Sequence, residues 1–96
     1  MRKHGRVDKN QAELVGTIRA MGGTWLDLSS VGKGCPDGLI GYHGRTYLVE
    51  IKGPKGTLTD DQGNFIDIWR GSPVHVIRTV DGVIELMTSW KMSCSV

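Results

Sequence analysis

Residues 36–53, "PDGLIGYHGRTYLVEIKG", decide the fold of this chain. They contain two strand-like runs, 37–42 and 45–52, around a two-residue His43-Gly44 connection. A short turn ending in glycine between apolar, β-branched and aromatic residues is a hairpin signal. With Tyr42 opposite Arg45, the ladder runs outward through 41/46, 40/47, 39/48 and 38/49 to 37/50. Asp37 then faces Glu50 on one side of the sheet, with Cβ atoms about 4.5–5.5 Å apart. Glu50 and Lys52 share that face, roughly 6–7 Å apart along the strand. A slip of one residue would send the two carboxylates to opposite faces, so the turn carries the inference.

Like charges opposed across a ladder are destabilising, and close carboxylates raise one another's pKa unless a cation stands between them. A divalent metal ion is the simplest way to keep both ionised. Oxygen ligands without His or Cys suit Mg²⁺ or Mn²⁺ better than Zn²⁺. Such an ion makes nearby water more acidic, and a neighbouring lysine orients that water or stabilises charge on phosphorus. Asp37, Glu50 and Lys52 together therefore read as a site for metal-assisted phosphodiester hydrolysis. Each residue also has an ordinary reading: Asp37 as a Pro-Asp strand start, Glu50 and Lys52 as a solvated edge. Leu48 on the same face speaks against full solvation.

Outward from the hairpin, residues 1–7 read as a flexible basic tail and 8–23 as a helix. Asp8 with Gln11 is its capping pair, Leu14, Ile18 and Met21 with Val15 its buried stripe, and Gly22-Gly23 its stop. Glu13 sits at the border of the stripe. "TWLDLSS" (24–30) reads as a strand and "VGKGCP" (31–36) as a glycine-rich loop. After the turn "GPKG" (53–56), a helix over 59–70 opens on Thr59, with Gln62 as its capping-box partner and Phe65, Ile66 and Trp69 as its apolar face. Gly63 costs it about 1 kcal/mol against alanine, so it needs tertiary support. "VHVIRT" (74–79) reads as a strand, "VDG" (80–82) as a turn, and "VIELM" (83–87) as a last strand or a short helix. The closing "TSWKMSCSV" gives no clear pattern. The order α-β-β-β-α-β plus one element means α/β or α+β.

Ninety-six residues, 39% hydrophobic, fit one small domain over 8–96, and so small a core favours extra burial by dimerisation. Net charge is +2 with no dense basic block, which excludes a purely electrostatic DNA coat. Cys35 and Cys94 match no zinc spacing, and His4, His43 and His75 are scattered. Cys35 lies beside the carboxylates without a base to activate it. Trp25, Trp69 and Trp90 read as core or dimer anchors. Neither a signal-peptide apolar run nor a stretch of roughly 20 apolar residues is present, so the expectation is a cytoplasmic chain without a membrane partner.

"PD" at 36–37 followed by "EIK" at 50–52 resembles the PD-(D/E)XK nuclease signature. With "LT-x-x-Q" at 58–62 and "VIRTVDGV" at 76–83, the chain from about residue 10 to 87 is similar to the VRR-NUC branch, the virus-type replication-repair nuclease domain. The resemblance implies a restriction-endonuclease-like α/β core, αβββαβ, with a mixed central sheet flanked by helices. It implies that Asp37, Glu50 and the Ile51 carbonyl hold Mg²⁺ or Mn²⁺, with Glu13 completing the shell directly or through water. Lys52 would be catalytic, Gln62 would act beside it, and Lys33 and Lys55 would contact DNA phosphates. No organic cofactor is implied. Stand-alone relatives of this size look like phage or bacterial homodimers similar to Holliday-junction resolvases, so the expected activity is a DNA endonuclease on branched DNA. One departure is Gly38, where the family more often has a bulky apolar residue; it is expected to weaken local strand packing. The rival readings are a catalytically silent DNA-binding or scaffold module, and an exonuclease or nickase with another DNA target.

Overall fold

The turn residues set the sheet. In the computed structural model, which describes residues 4–94 (side chains of 10–93), His43 and Gly44 have φ of 51° and 78°. Two successive positive φ values define a type I′ turn, whose twist matches that of the flanking strands. The β2–β3 register is accordingly the expected one, from Tyr42↔Arg45 to Gly38↔Val49. The element order is α1 (His4–Ala20), β1 (Thr24–Asp27), β2 (Gly38–Tyr42), β3 (Arg45–Ile51), α2 (Asp60–Ile68), β4 (His75–Ile77) and α3 (Val80–Cys94).

The four strands form one mixed sheet in the order β1-β2-β3-β4. The first three are antiparallel neighbours, and β4 pairs parallel to β3, with Glu50↔Val76 and Ile51↔Ile77. The molecule is thus an α/β fold with helices against a mixed sheet. Strand alternation sorts the sheet into two faces. Ile40, Tyr42, Val49, Ile51 and Ile77 join Leu14, Val15 and Ile18 of α1 and Val83, Met87 and Trp90 of α3 in the core. There the Trp90 ring stacks on Tyr47 at 3.6 Å, nearly parallel. Leu39, Leu48 and Glu50 point to the other face, beside α2, which has no fully buried residue.

Several boundaries differ from the sequence reading. Helix α1 starts at His4, within the segment read as a tail, so Asp8 lies inside the helix and not at its cap; no proline stops it there. Residues 1–3 lie outside the described residues. Its end is as expected: Gly22 (φ 95°) and Gly23 donate to the Arg19 and Ile18 carbonyls in a Schellman arrangement. β1 stops at Asp27 because its Oδ1 accepts from the Ser29 amide at 2.7 Å and turns the chain. α2 ends at Ile68, with Trp69 as an extended C-cap.

The largest difference is α3. Val80-Asp81-Gly82 is not a turn but the first turn of a 15-residue helix. Thr79 caps it, its hydroxyl accepting from the Gly82 amide at 3.0 Å and its carbonyl from Val83. Val83, Met87 and Trp90, at helical spacing, are buried. Gly38 also plays another part than expected. A Cβ there would sit 2.4 Å from the Trp25 indole. The ring fills the space a bulky residue would take, so the glycine is complemented and not a packing defect.

Candidate active site

In this antiparallel pair β2 begins where β3 ends, and Asp37, Glu50 and Lys52 gather at that end, away from the turn. A cavity of about 440 Å³ opens there, lined by Asn10, Asp37, Glu50, Lys52 and Gln62 and by Ile51, Gly53, Gly56 and Thr57. Asp37 lies one residue before β2. Its Oδ2 accepts from the Ile51 amide at 2.7 Å, so its carboxylate reaches across to the backbone between Glu50 and Lys52. Glu50 is the buried charged residue of the chain among those described, 2% exposed. Its Oε2 receives the Gln62 side-chain amide at 2.8 Å and lies 3.5 Å from the Lys52 ammonium.

Electrostatics at this end of the sheet are strained in one direction. Burial, and then the neighbouring Asp37 charge, push the Glu50 carboxyl up from 4.5 to about 7, with Lys52 opposing. Asp37 is raised too, chiefly by burial, against the Ile51 amide and Lys52. One lysine does not neutralise two close carboxylates in a poorly solvated cavity. The donor set fits one hard divalent cation, which is commonly held by one or two carboxylates with water and phosphate oxygens supplying the rest.

Gln62 does two things at once. Its Oε1 accepts from the Thr59 backbone amide and its backbone N–H donates to the Thr59 hydroxyl, the reciprocal capping box expected of that spacing. Its Nε2 is then left to hold Glu50. The cap fixes which way the side-chain amide points, so helix formation and site geometry are coupled in one residue.

Not every expected residue arrives. Glu13 is exposed on α1 and does not line the cavity. Among the described residues no group of three or more His, Cys, Asp or Glu side chains converges to hold a metal. Lys33 and Lys55 are exposed and outside the cavity lining, although Gly53 and Gly56, flanking Lys55, belong to it. Lys33 (φ 58°) sits between Gly32 and Gly34, both with positive φ. Gly34 lies so close to α2 that a Cβ would fall 2.1 Å from the Asp61 carbonyl oxygen, which seats this loop on the helix's first turn. The Cys35 thiol is pushed up by burial and by the Glu50 and Asp37 charges, the opposite of activation.

Two residues of the site went unnoticed in the sequence. Asn10, three positions before Glu13 on α1, donates to the Lys52 carbonyl at 3.1 Å. Arg78, just past β4, donates through Nη1 to the carbonyls of Gly53 and Gly56. Helical spacing from Glu13 is a signal for Asn10; Arg78 falls within the "VIRTVDGV" run at 76–83, to which the sequence reading gives no role of its own. A larger hollow of about 550 Å³ between β4 and α3 has Glu85 as its single carboxylate and lacks the paired acids. No helix among the described residues is long and apolar enough to cross a membrane. Comparison with family models, curated proteins and solved structures finds no match, so the chemistry of the site stands on the chain's own residues.

Proposed function

We propose that the chain is a Mg²⁺- or Mn²⁺-dependent DNA endonuclease of PD-(D/E)XK type, of the VRR-NUC branch. The observation that carries this is the convergence of Asp37, Glu50 and Lys52 on one cavity at the end of a hairpin with the register the motif needs. The αβββαβ order of the first six elements is the order that reading requires. Asp37 and Glu50 would hold the divalent ion, and the carbonyl of Ile51, which lines the same cavity between Glu50 and Lys52, would join them. The bound ion would supply Lewis acidity toward a phosphodiester oxygen. Lys52 lines the same cavity with its ammonium 3.5 Å from Glu50, placed to orient the attacking water or to stabilise charge developing on phosphorus. Gln62 holds the Glu50 carboxylate in one orientation through a cap that leaves it little freedom. Lys33 and Lys55, exposed on the loops either side, are suited to phosphate contacts that position DNA without reading its sequence. Glu13 is left out of the ligand set on account of its exposure.

We extend the reading to branched DNA cut by a homodimer, in which two such sites act on two strands. The test is a cleavage panel of single-stranded, linear duplex, flap and four-way-junction DNA, with Mg²⁺, Mn²⁺ or EDTA, for the wild type and Lys52→Ala. Paired, metal-dependent and Lys52-dependent cuts in the junction are expected. Cuts confined to other structures would remove the junction preference and keep the nuclease. Binding in EDTA without cutting under any metal would replace the enzyme by a DNA-binding module. Release from DNA ends alone would make it an exonuclease. Light scattering of the free protein tests the dimer.

A further inference from the structure

The residues after β3 are held more firmly than a Gly-Pro-Lys-Gly turn requires. Lys52 donates its amide to the Ile77 carbonyl of β4 at 3.0 Å and gives its carbonyl to Asn10 of α1. Gly56 donates to the Gly53 carbonyl at 3.1 Å, closing the turn. Arg78, the next residue after Ile77, then donates from a single nitrogen, Nη1, to Gly53 O at 3.0 Å and Gly56 O at 2.5 Å. Both hydrogens of that nitrogen are thereby used on the two ends of one turn. Both glycines line the cavity that contains Asp37 and Glu50. The turn carries Lys55 at its tip and Lys52 at its base.

We propose that Arg78 is a positioning residue of the site: its guanidinium sets the 53–56 turn, and through it the direction of Lys52 and the placement of Lys55. A turn with two glycines would otherwise sample many backbone states, since glycine has little steric restriction. A charged donor bonded to two carbonyls is stronger and more directional than neutral contacts. Because Arg78 follows β4 directly, the parallel β3–β4 ladder delivers the guanidinium to the turn with no loop between. This role rests on the nuclease reading for its catalytic consequence but not for its structural one, and the two are read separately.

The experiment compares wild type, Arg78→Ala and Arg78→Lys by amide hydrogen exchange at residues 52 and 56, whose amides are hydrogen-bonded to Ile77 and Gly53, and by steady-state cleavage of the best DNA substrate with Mn²⁺. In Arg78→Ala those amides exchange at least tenfold faster while amides of β2 and β3 keep their protection, and kcat falls at least tenfold with KM within about twofold. Arg78→Lys, with an ammonium on a shorter reach, is intermediate in both and carries the test if Arg78→Ala does not fold. Unchanged exchange in the turn overturns the proposal whether or not the protein cuts DNA. Faster exchange with unchanged kcat also overturns it, because the turn would then not matter for catalysis. A wild type that cuts no DNA defeats the nuclease reading alone, and the exchange result still decides whether Arg78 holds the turn.

Discussion

The two faces of the sheet are built by different physics. On one, α1 and α3 close over Ile40, Val49, Ile51 and Ile77, and side chains such as Leu14, Ile18 and Met87 are wholly buried. On the other, α2 buries no residue completely, and Ile68 and Trp69 remain exposed. What anchors α2 is largely polar: a capping box, the Gln62–Glu50 hydrogen bond and the close approach of Gly34 to Asp61. The first face supplies stability through apolar burial. The second leaves room for a cavity and tolerates a buried carboxylate that costs stability. A small fold thus concentrates its cohesion on one side, which lets the other hold charges in a strained state.

Breaking each face should give separable results. The largest effect is on the polar side: Lys52→Ala should lower DNA cleavage about 10³-fold, about 4 kcal/mol of transition-state stabilisation, while the melting temperature moves only a few degrees. Cleavage rates and a thermal melt of the same sample check this. On the apolar side, Ile18→Ala should cost about 2–5 kcal/mol in urea unfolding, with cleavage per folded molecule retained.

The pH dependence sharpens the contrast. Glu50 titrates at about 7 in the folded chain against its ordinary 4.5. The native state therefore binds more protons than the unfolded state between those values. Stability falls as pH rises from about 4.5 through 7, by an amount on the order of 3 kcal/mol. Asp37, also raised, acts in the same direction. Glu50→Gln should remove most of that slope and be more stable than wild type at pH 8 without metal, as urea unfolding across pH 4–8 would record. The smallest effect is expected at Phe65, half-buried against the groove on the α2 face. Phe65→Ala should cost about 1–2 kcal/mol, less than Ile18→Ala, and equal costs would erase the distinction between the faces.

Local chemistry made the polar face legible in the sequence. The His43-Gly44 turn sets the register as far as Gly38↔Val49, Asp37 just beyond that ladder shares one cavity with Glu50, and the Thr59-x-x-Gln62 spacing announces a cap that also reaches Glu50. What stayed hidden depends on distant pairing. Arg78 reaches residues 53 and 56 only because β4 lies parallel to β3 after a crossover through α2, and no local pattern encodes that neighbour. The first turn of α3 reads as a connection because Gly82 resembles a turn residue, although Thr79, Asp81 and the Val83-Met87-Trp90 spacing spell a capped helix, the helical one of the two forms that 83–87 allow. Glu13 fits the helical period as well as Asn10 does, and a rotation of α1 by less than a turn decides which of them meets the cavity. Gly38 looked like a gap because its partner, the Trp25 indole, lies on the neighbouring strand.

The most direct test of the site needs no knowledge of which DNA is cut. Thermal melts of wild type and Glu50→Gln at pH 8 would be followed as Mn²⁺ is added. If Asp37 and Glu50 form a divalent-cation site, the wild type gains stability with Mn²⁺ in a saturable way, and Glu50→Gln starts higher and gains nothing. No gain in the wild type, or the same gain in both proteins, would contradict the account.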